Sequence, residues 1–463
     1  MQVQPLGPVV QAALKLGQSL ELAIDGTGHD GQGVGRWNDL VVFVPGALPG
    51  ERVQARLRRQ AKRHLEADLT AVLTASPHRR RSPCILADHC GGCSLQHCDD
   101  GVQAQLKQQL VLEALRRLGG LSLAPDPIWA AQAPLGYRNR ALIPLERGSE
   151  GQIRAGYYRR GSHRIVNMNH CPVLDPRIDQ LVEPLKRDLA QTDWPVDVNL
   201  TDQGGLRHLA LRVGHHSGDV LITLVSSHAE LPGLEQLAEE WMERWPAVVG
   251  VGLNLQPRAT NVVLGPNTRV VRGRPWLLER FAGLALHIAA DTFFQVNTPQ
   301  AERLVPLLAQ FFAADRGPRL VDAYCGIGTF ALPLAAAGAT VVGLELHHQA
   351  VEQARANAER NGLQRVTLLE GDVSALLRDQ LNGADGLVVD PPRKGLSEGT
   401  LEAICATPPP RLAYISCNPA TLARDLGHLA ATADYRVTRL QPVDFFPQTS
   451  HVECVALLER DGG

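Results

Sequence analysis

Over residues 15–75 apolar and polar positions alternate between glycine and proline turns, as in Leu20-Glu21-Leu22-Ala23-Ile24, Leu40-Val41-Val42-Phe43-Val44 and Arg52-Val53-Gln54-Ala55-Arg56-Leu57. A period of two in short stretches predicts strands with one buried face, and several in succession predict a small all-β barrel. Residues 102–118 repeat at helical spacing instead. Leu106, Leu110, Leu115 and Leu118 fall near one face and Gly119-Gly120 provides a stop, so an amphipathic helix is expected. Strands dominate from residue 137 to 264, with helical stretches at 178–191 and 231–244, which predicts a central α+β domain. From residue 291 apolar strands alternate with helices: 319–323 then 329–337, 340–345 then 348–361, 366–369, 386–390, and 411–416 then 420–430. That rhythm predicts βαβ units and an α/β Rossmann-like domain that binds ligands at the carboxyl ends of its strands. The expected division is 12–75 for the barrel, 76–285 for the central domain and 286–463 for the α/β domain. Helix 102–118 is expected to pack on the last of these.

A chain of 463 residues with 44% hydrophobic content needs more than one core. No apolar run approaches the roughly 20 residues that span a bilayer, and residues 1–11 lack the basic start and apolar core of a secretory leader. A cytoplasmic protein with no membrane partner is expected. Nine cysteines, three of them in Cys84-x5-Cys90-x2-Cys93, fit a reducing compartment where thiols serve as ligands or nucleophiles. The net charge of −2 argues against coating nucleic acid through an overall field. Local charge differs: residues 52–81 hold nine Lys/Arg against Glu66 and Asp68, and residues 134–165 hold seven arginines against Glu146 and Glu150, with Tyr137, Tyr157 and Tyr158 between them. Such patches can neutralise phosphates and stack exposed bases, although a solvated charged face is the plainer alternative.

The chemistry gathers in the α/β region. Asp322-Ala323-Tyr324-Cys325-Gly326-Ile327-Gly328 is a glycine turn between a strand and a helix, the next strand ends in Glu345, the third leads to Glu370-Gly371-Asp372, and the fourth to Asp390-Pro391-Pro392-Arg393-Lys394-Gly395. Acids after strands two and three with a D-P-P motif after strand four favour S-adenosylmethionine over a nicotinamide cofactor. Asp372 also suits a helix N-cap. Cys417, in Ser416-Cys417-Asn418-Pro419, follows an apolar strand and precedes a helix whose N-terminus is expected to lower its pKa. Glu453 lies on the strand pattern 452–457. A thiolate that can attack C6 of a pyrimidine and a carboxylate that can remove the C5 proton are what covalent C5 methylation requires. A buried structural thiol and a surface carboxylate are the plain alternatives, and Cys325 and Cys454 are rival thiols expected to pack.

Residues 28–36 and 43–51 resemble the TRAM module, an OB-like RNA-binding barrel. The D-P-P-R-K-G and S-C-N-P motifs, Phe446-Pro447-Gln448-Thr449-Ser450-His451-Val452-Glu453, and Phe293-Phe294-Gln295-Val296-Asn297 resemble the signatures of the RNA uracil-C5 methyltransferase family over nearly the whole chain. The resemblance implies Cys417 as nucleophile and Glu453 as base. It implies contacts to the cofactor S-adenosyl-L-methionine or the target base from Gln295, Tyr324, Thr329, Glu345, Asp372 and Asp390, with threonine at 329 where relatives carry asparagine. Cys84, Cys90 and Cys93 need a fourth ligand, for which Cys171 in His170-Cys171-Pro172 is preferred and Cys98 is the local rival; zinc would suit the same thiolates. The ribosomal branch of the family implies a structural 4Fe-4S cluster. Barrel and cluster together point to an enzyme for 23S ribosomal RNA; because a duplex or structured loop hides C6, a flipped-out uridine is expected, and a monomer is expected. Alternatives are another rRNA or tRNA uridine, cytosine C5, and a catalytically silent RNA-binding protein.

Overall fold

The computed structural model describes residues 14–199, 204–258, 260 and 262–460. The stretch 1–11 read for a leader, the expected barrel start at 12–13 and the expected end at 461–463 lie outside these. The described residues fall into two compact units, one within 1–82 plus 94–102 and the other within 83–93 plus 103–463.

The first unit is a closed five-stranded barrel. Ser19–Thr27 pairs with Gly33–Trp37, which pairs with Leu40–Val44, then His64–Thr74, then Arg52–Gln60, which returns to the first strand. The alternation is realised residue by residue: Leu20, Leu22, Ile24, Val53, Ala55 and Leu57 fill the interior, while Glu21, Arg52, Gln54, Arg56 and Arg58 face out. The glycine run at 28–36 makes a hairpin rather than a phosphate loop. At Gly35 the strands approach so closely that a Cβ would lie 2.5 Å from the Ala23 carbonyl oxygen. Buried Glu51 accepts Arg79 Nε at 2.6 Å and Nη2 at 2.8 Å, plus the backbone N–H groups of Leu48 and Ser76. Burial alone would raise its pKa, but Arg79 and these N–H donors together hold it below the ordinary carboxylate value.

In the second unit, a six-stranded sheet runs in the order Asn267–Gly273, Val248–Leu255, Val220–Ser226, Leu206–Val213, Arg140–Arg147 and Ile153–Ala155. Helices Pro176–Ala190 and Leu234–Arg244 share its apolar core through Leu181, Leu185 and Trp241. A hairpin, Trp276–Phe281 with Leu284–Ala289, leads to the segment carrying Gln295. The seven-stranded sheet follows: β1 Arg319–Ala323, β2 Thr340–Glu345, β3 Val366–Glu370, β4 Gly386–Val389, β5 Arg411–Ser416, β6 Tyr435–Val443 and β7 Glu453–Arg460. Its order is β3-β2-β1-β4-β5-β7-β6, parallel except for β7, which runs antiparallel to both neighbours. This is an S-adenosylmethionine methyltransferase fold, as expected.

The helix expected at 102–118 is Asp100–Ala114, followed by a single π turn, Leu115–Gly119, and closed by Gly120 at φ 63°. Its buried side is Gln103, Lys107, Val111 and Leu115, whereas Leu118 is exposed. Half of that side is polar because the segment it covers offers acceptors: Lys107 Nζ reaches Asp444 Oδ1 at 2.5 Å and the Phe446 carbonyl at 3.0 Å. Its end packs on helix Pro419–Thr432 backbone to backbone, where a Cβ on Gly427 would lie 2.6 Å from the Gly119 oxygen.

Arg79→Ala should strand the Glu51 carboxylate and destabilise the barrel by about 3 kcal/mol, read as faster hydrogen exchange in Arg52–Gln60. Because the Glu51 pKa is depressed, the pair's contribution is present above the ordinary value of 4.5 and lost as pH falls through the lower folded value.

Candidate active site

The cofactor-side residues collect at the carboxyl ends of β1, β2 and β4. Tyr324 adopts φ 68°, a costly conformation for a non-glycine residue, and thereby turns the chain out of β1. Its N–H donates to the Leu344 oxygen at 2.9 Å and its hydroxyl lies 3.1 Å from Thr400 Oγ1. Glu345 braces the glycine turn by accepting the Gly326 N–H at 3.0 Å and the His347 N–H at 2.8 Å. Thr329 is buried ahead of helix Ala331–Ala336. Asp372 caps helix Val373–Leu381 through the Ser374 N–H at 2.8 Å and hydroxyl at 2.7 Å, which hold its carboxyl below the usual range. The N-cap reading of Asp372 therefore describes what this side chain does.

Gln295 Nε2 donates to Asp390 Oδ2 at 3.2 Å, linking the segment ahead of the sheet to the end of β4. Burial pushes the Asp390 carboxyl up to about 7. Asp322, which the motif reading used only as a strand end, is buried with neither carboxyl oxygen in a well-formed hydrogen bond; the Ala331 N–H gives partial help. Burial raises its pKa well above the ordinary value, and Asp390 and Glu345 add to the rise.

Cys417 and Glu453 meet across one ladder. Antiparallel β5 and β7 pair Ser416 with Cys454, so one step further along each strand stand Cys417 and Glu453. The turn at Cys417 is fixed by Asn418, which caps helix Pro419–Thr432 at the Ala420 N–H and donates from Nδ2 to the Arg393 oxygen at 3.0 Å. The expected lowering of the Cys417 pKa does not occur. Burial pushes the thiol up to about 11, Glu453 and Asp390 oppose the thiolate further, and Arg393 offsets only part of this. Glu453 is itself buried and raised well above the usual range, first by burial and then by Asp390, with Arg393 again opposing. Arg393 was visible only as part of a motif. Phe293, 58% exposed two residues before Gln295, was likewise quoted without a role. Cys325 and Cys454 are buried in the packed core.

The four cysteines of the expected metal site, Cys84, Cys90, Cys93 and Cys171, are each partly buried. Among the described residues no three His, Cys, Asp or Glu side chains form a group that could hold a metal ion. Sulfurs turn to their own backbones: Cys84 Sγ accepts the Leu86 N–H and Cys90 Sγ the Gly92 N–H, each at 3.4 Å. Burial pushes the Cys171 thiol up to about 11. The four nonetheless share a neighbourhood, since Cys84 acts electrostatically on both Cys90 and Cys171, and Tyr157 feels Cys171, Cys90 and Cys93. Cys98 is fully buried, its thiol also pushed up to about 11.

A thiol of this kind should alkylate slowly at neutral pH. Between pH 7 and 9 the iodoacetamide labelling rate of Cys417 in the free protein, followed by peptide mass spectrometry, should rise about a hundredfold, whereas an ordinary thiol flattens near 8.5.

A family profile described as tRNA (Uracil-5-)-methyltransferase matches residues 282–461, and one described as TRAM domain matches 13–70. An uncharacterized RNA methyltransferase of Parasynechococcus marenigrum is 52% identical over 96% of each chain, and one of Nostoc is 45% identical, again over 96% of each. The solved Pyrococcus abyssi tRNA (uracil-54, C5)-methyltransferase in complex with S-adenosyl-L-homocysteine superposes with a TM-score of 0.76 at 26% identity, covering 95% of this chain and 99% of that one. With its methyltransferase sheet, its N-terminal TRAM domain and relatives matched end to end, the chain belongs to the S-adenosylmethionine-dependent RNA uracil-C5 methyltransferase family.

Proposed function

We propose that the protein methylates C5 of a uridine in 23S ribosomal RNA through a covalent adduct at Cys417. The observation that carries the covalent reading is the β5–β7 register, which brings one thiol and one carboxyl to the same edge. The target base leaves its stack and lies against this edge, with exposed Phe293 as the surface on which it rests. Cys417 gives up its S–H proton to solvent, its sulfur bonds to uracil C6, and the C5=C6 π pair moves toward C5 and O4, so that C5 can form the bond to the methyl group. S-adenosylmethionine supplies an electrophilic methyl group on a cationic sulfur. The residues present suit such a cation: Asp322, Asp390 and Glu345 stand at the strand ends, burial raises the first two, and Asp390 and Glu345 raise Asp322 further. A positive ligand among them favours their ionised forms, and that of Glu453 beside Asp390. Glu453 as carboxylate then takes the C5 proton, the C–H electron pair restores the C5–C6 double bond, and the thiolate leaves.

For Cys84, Cys90, Cys93 and Cys171 the proposal is a structural 4Fe-4S cluster. N–H donors to sulfur, with the Tyr157 ring close to Gly92 beside Cys90, suit thiolates on such a cube. A cube also spaces its cysteines more widely than one zinc ion, whose sulfurs stand about 3.8 Å apart. The choice of 23S rRNA rests on barrel and cysteines together. A tRNA uridine is the second reading, favoured by the Pyrococcus tRNA enzyme covering 95% of this chain, barrel region included.

Glu453→Gln should permit attack and methyl transfer but stall elimination, so a denaturant-resistant protein–RNA complex joined through Cys417 and carrying the methyl group accumulates, and Cys417→Ala should form none. Turnover at the normal rate by either variant removes the covalent reading. Mapping 5-methyluridine in a deletion strain decides the RNA: loss from 23S rRNA is expected, and loss from tRNA alone selects the second reading.

A further inference from the structure

Residues 134–140 bend at 134–136, where Gly136 takes φ 66°, and straighten into strand Arg140–Arg147, so that they lie between the stretch after Cys171 and both approaches to the active site. Along one side they are zipped to the stretch that begins at Cys171: Gly136 N–H donates to the Pro172 oxygen at 2.9 Å, Arg138 N–H to Val173 at 3.1 Å, and Asp175 N–H to Arg138 at 3.0 Å. On the other side the buried Tyr137 hydroxyl donates to the Pro447 oxygen at 3.1 Å, and Gln448 Nε2 donates to the Pro134 oxygen at 3.3 Å. Both contacts fall in residues 444–452, which deliver Glu453. At the far end Asn139 holds the Gln295 segment, its N–H on the Val296 oxygen at 3.0 Å and its Nδ2 on the Gln295 oxygen at 2.9 Å.

The loop before Glu453 needs such support. Gln448 is fully buried at φ 71°, a conformation that persists only where surroundings impose it. Gln103 exchanges two hydrogen bonds with Gln448, Lys107 grips Asp444 and Phe446, and Asn297 Nδ2 donates to the Phe445 oxygen. Tyr137 differs from these in what lies behind it. Its own chain neighbours Gly136 and Arg138 are bonded to Pro172 and Val173, directly after Cys171, so the residue that touches the loop is fastened to the stretch that carries that cysteine.

We propose that residues 134–140 form a strut through which the four-cysteine site sets the position of Glu453, with Tyr137 as the positioning residue. This rests on the covalent reading above. Cys417 is held by the end of β5 and by Asn418 on Arg393, whereas Glu453 follows directly from the loop that Tyr137 holds. A displaced carboxylate slows C5 proton removal while leaving thiolate attack and methyl transfer in place.

The test compares Tyr137→Phe and Cys171→Ser with wild type in the full chain, using methyl-labelled S-adenosylmethionine and the uridine RNA. Tyr137→Phe keeps the ring and removes one buried donor. Its kcat should fall about tenfold with KM for both substrates within about twofold, labelled adduct on Cys417 should build up, and iron should stay at about four per chain. Cys171→Ser should lose iron and raise the same adduct. Wild-type kcat without adduct in Tyr137→Phe, or a fall in kcat without labelled adduct, overturns the positioning role. Iron loss in Cys171→Ser with wild-type adduct levels, or wild-type protein free of both iron and zinc, overturns the cysteine site as the strut's anchor. If Cys171→Ser fails to fold, Tyr137→Phe decides alone. Glu453→Gln separates the two proposals: adduct there but not in Tyr137→Phe sinks only the strut, and none in either sinks the base role itself.

Discussion

The antiparallel ladder between β5 and β7 is the constraint on which the site depends. In a purely parallel sheet the residues after each strand would all leave by loops of their own, with no backbone register between them. Inserting one reversed strand places a loop that enters the sheet beside a turn that leaves it, and the Ser416–Cys454 rung fixes their separation. Everything nearby serves that rung: Asn418 pins the turn, while Lys107, Gln103, Asn297 and Tyr137 pin the loop.

Around the rung the electrostatics are unfavourable by design of the fold. Burial raises Asp322, Asp390 and Glu453, Asp390 raises the other two further, and Arg393 opposes the rise at Glu453. Burial and neighbouring acids thus favour the neutral forms of the Cys417 thiol and the Glu453 carboxyl, and a cation placed among the acids would oppose that. A reactive thiolate exposed without substrate would invite oxidation.

Much of this was legible in the chain. The barrel alternation held at Leu20, Leu22, Ile24, Val53, Ala55 and Leu57 because one face of each strand is buried and the other is not. β1, β2 and β5 begin and end where their apolar runs do. The helix at 100–114 misled in its face, since Gln103 and Lys107 read as solvent residues until the acceptors of a segment more than 300 positions away in sequence are known. Cys417 misled in its charge because desolvation belongs to the packed site, not to the helix N-terminus beside it. The order of the six-stranded sheet depends on long-range registers that local periodicity does not carry.

The barrel's outward row has a consequence of its own. Arg52 is paired with Glu21, Arg58 with Glu66 and Asp68, and Arg59 with Glu66. A nucleic-acid backbone meeting this face exchanges one set of ion pairs for another instead of capturing bare cations. Fewer condensed counterions are then released than the arginine count suggests, each worth roughly 0.7 to 0.9 in the slope of log affinity against log salt. Association through this face is correspondingly tolerant of ionic strength, and what it gives up in raw attraction it regains in freedom to let go of the wrong strand.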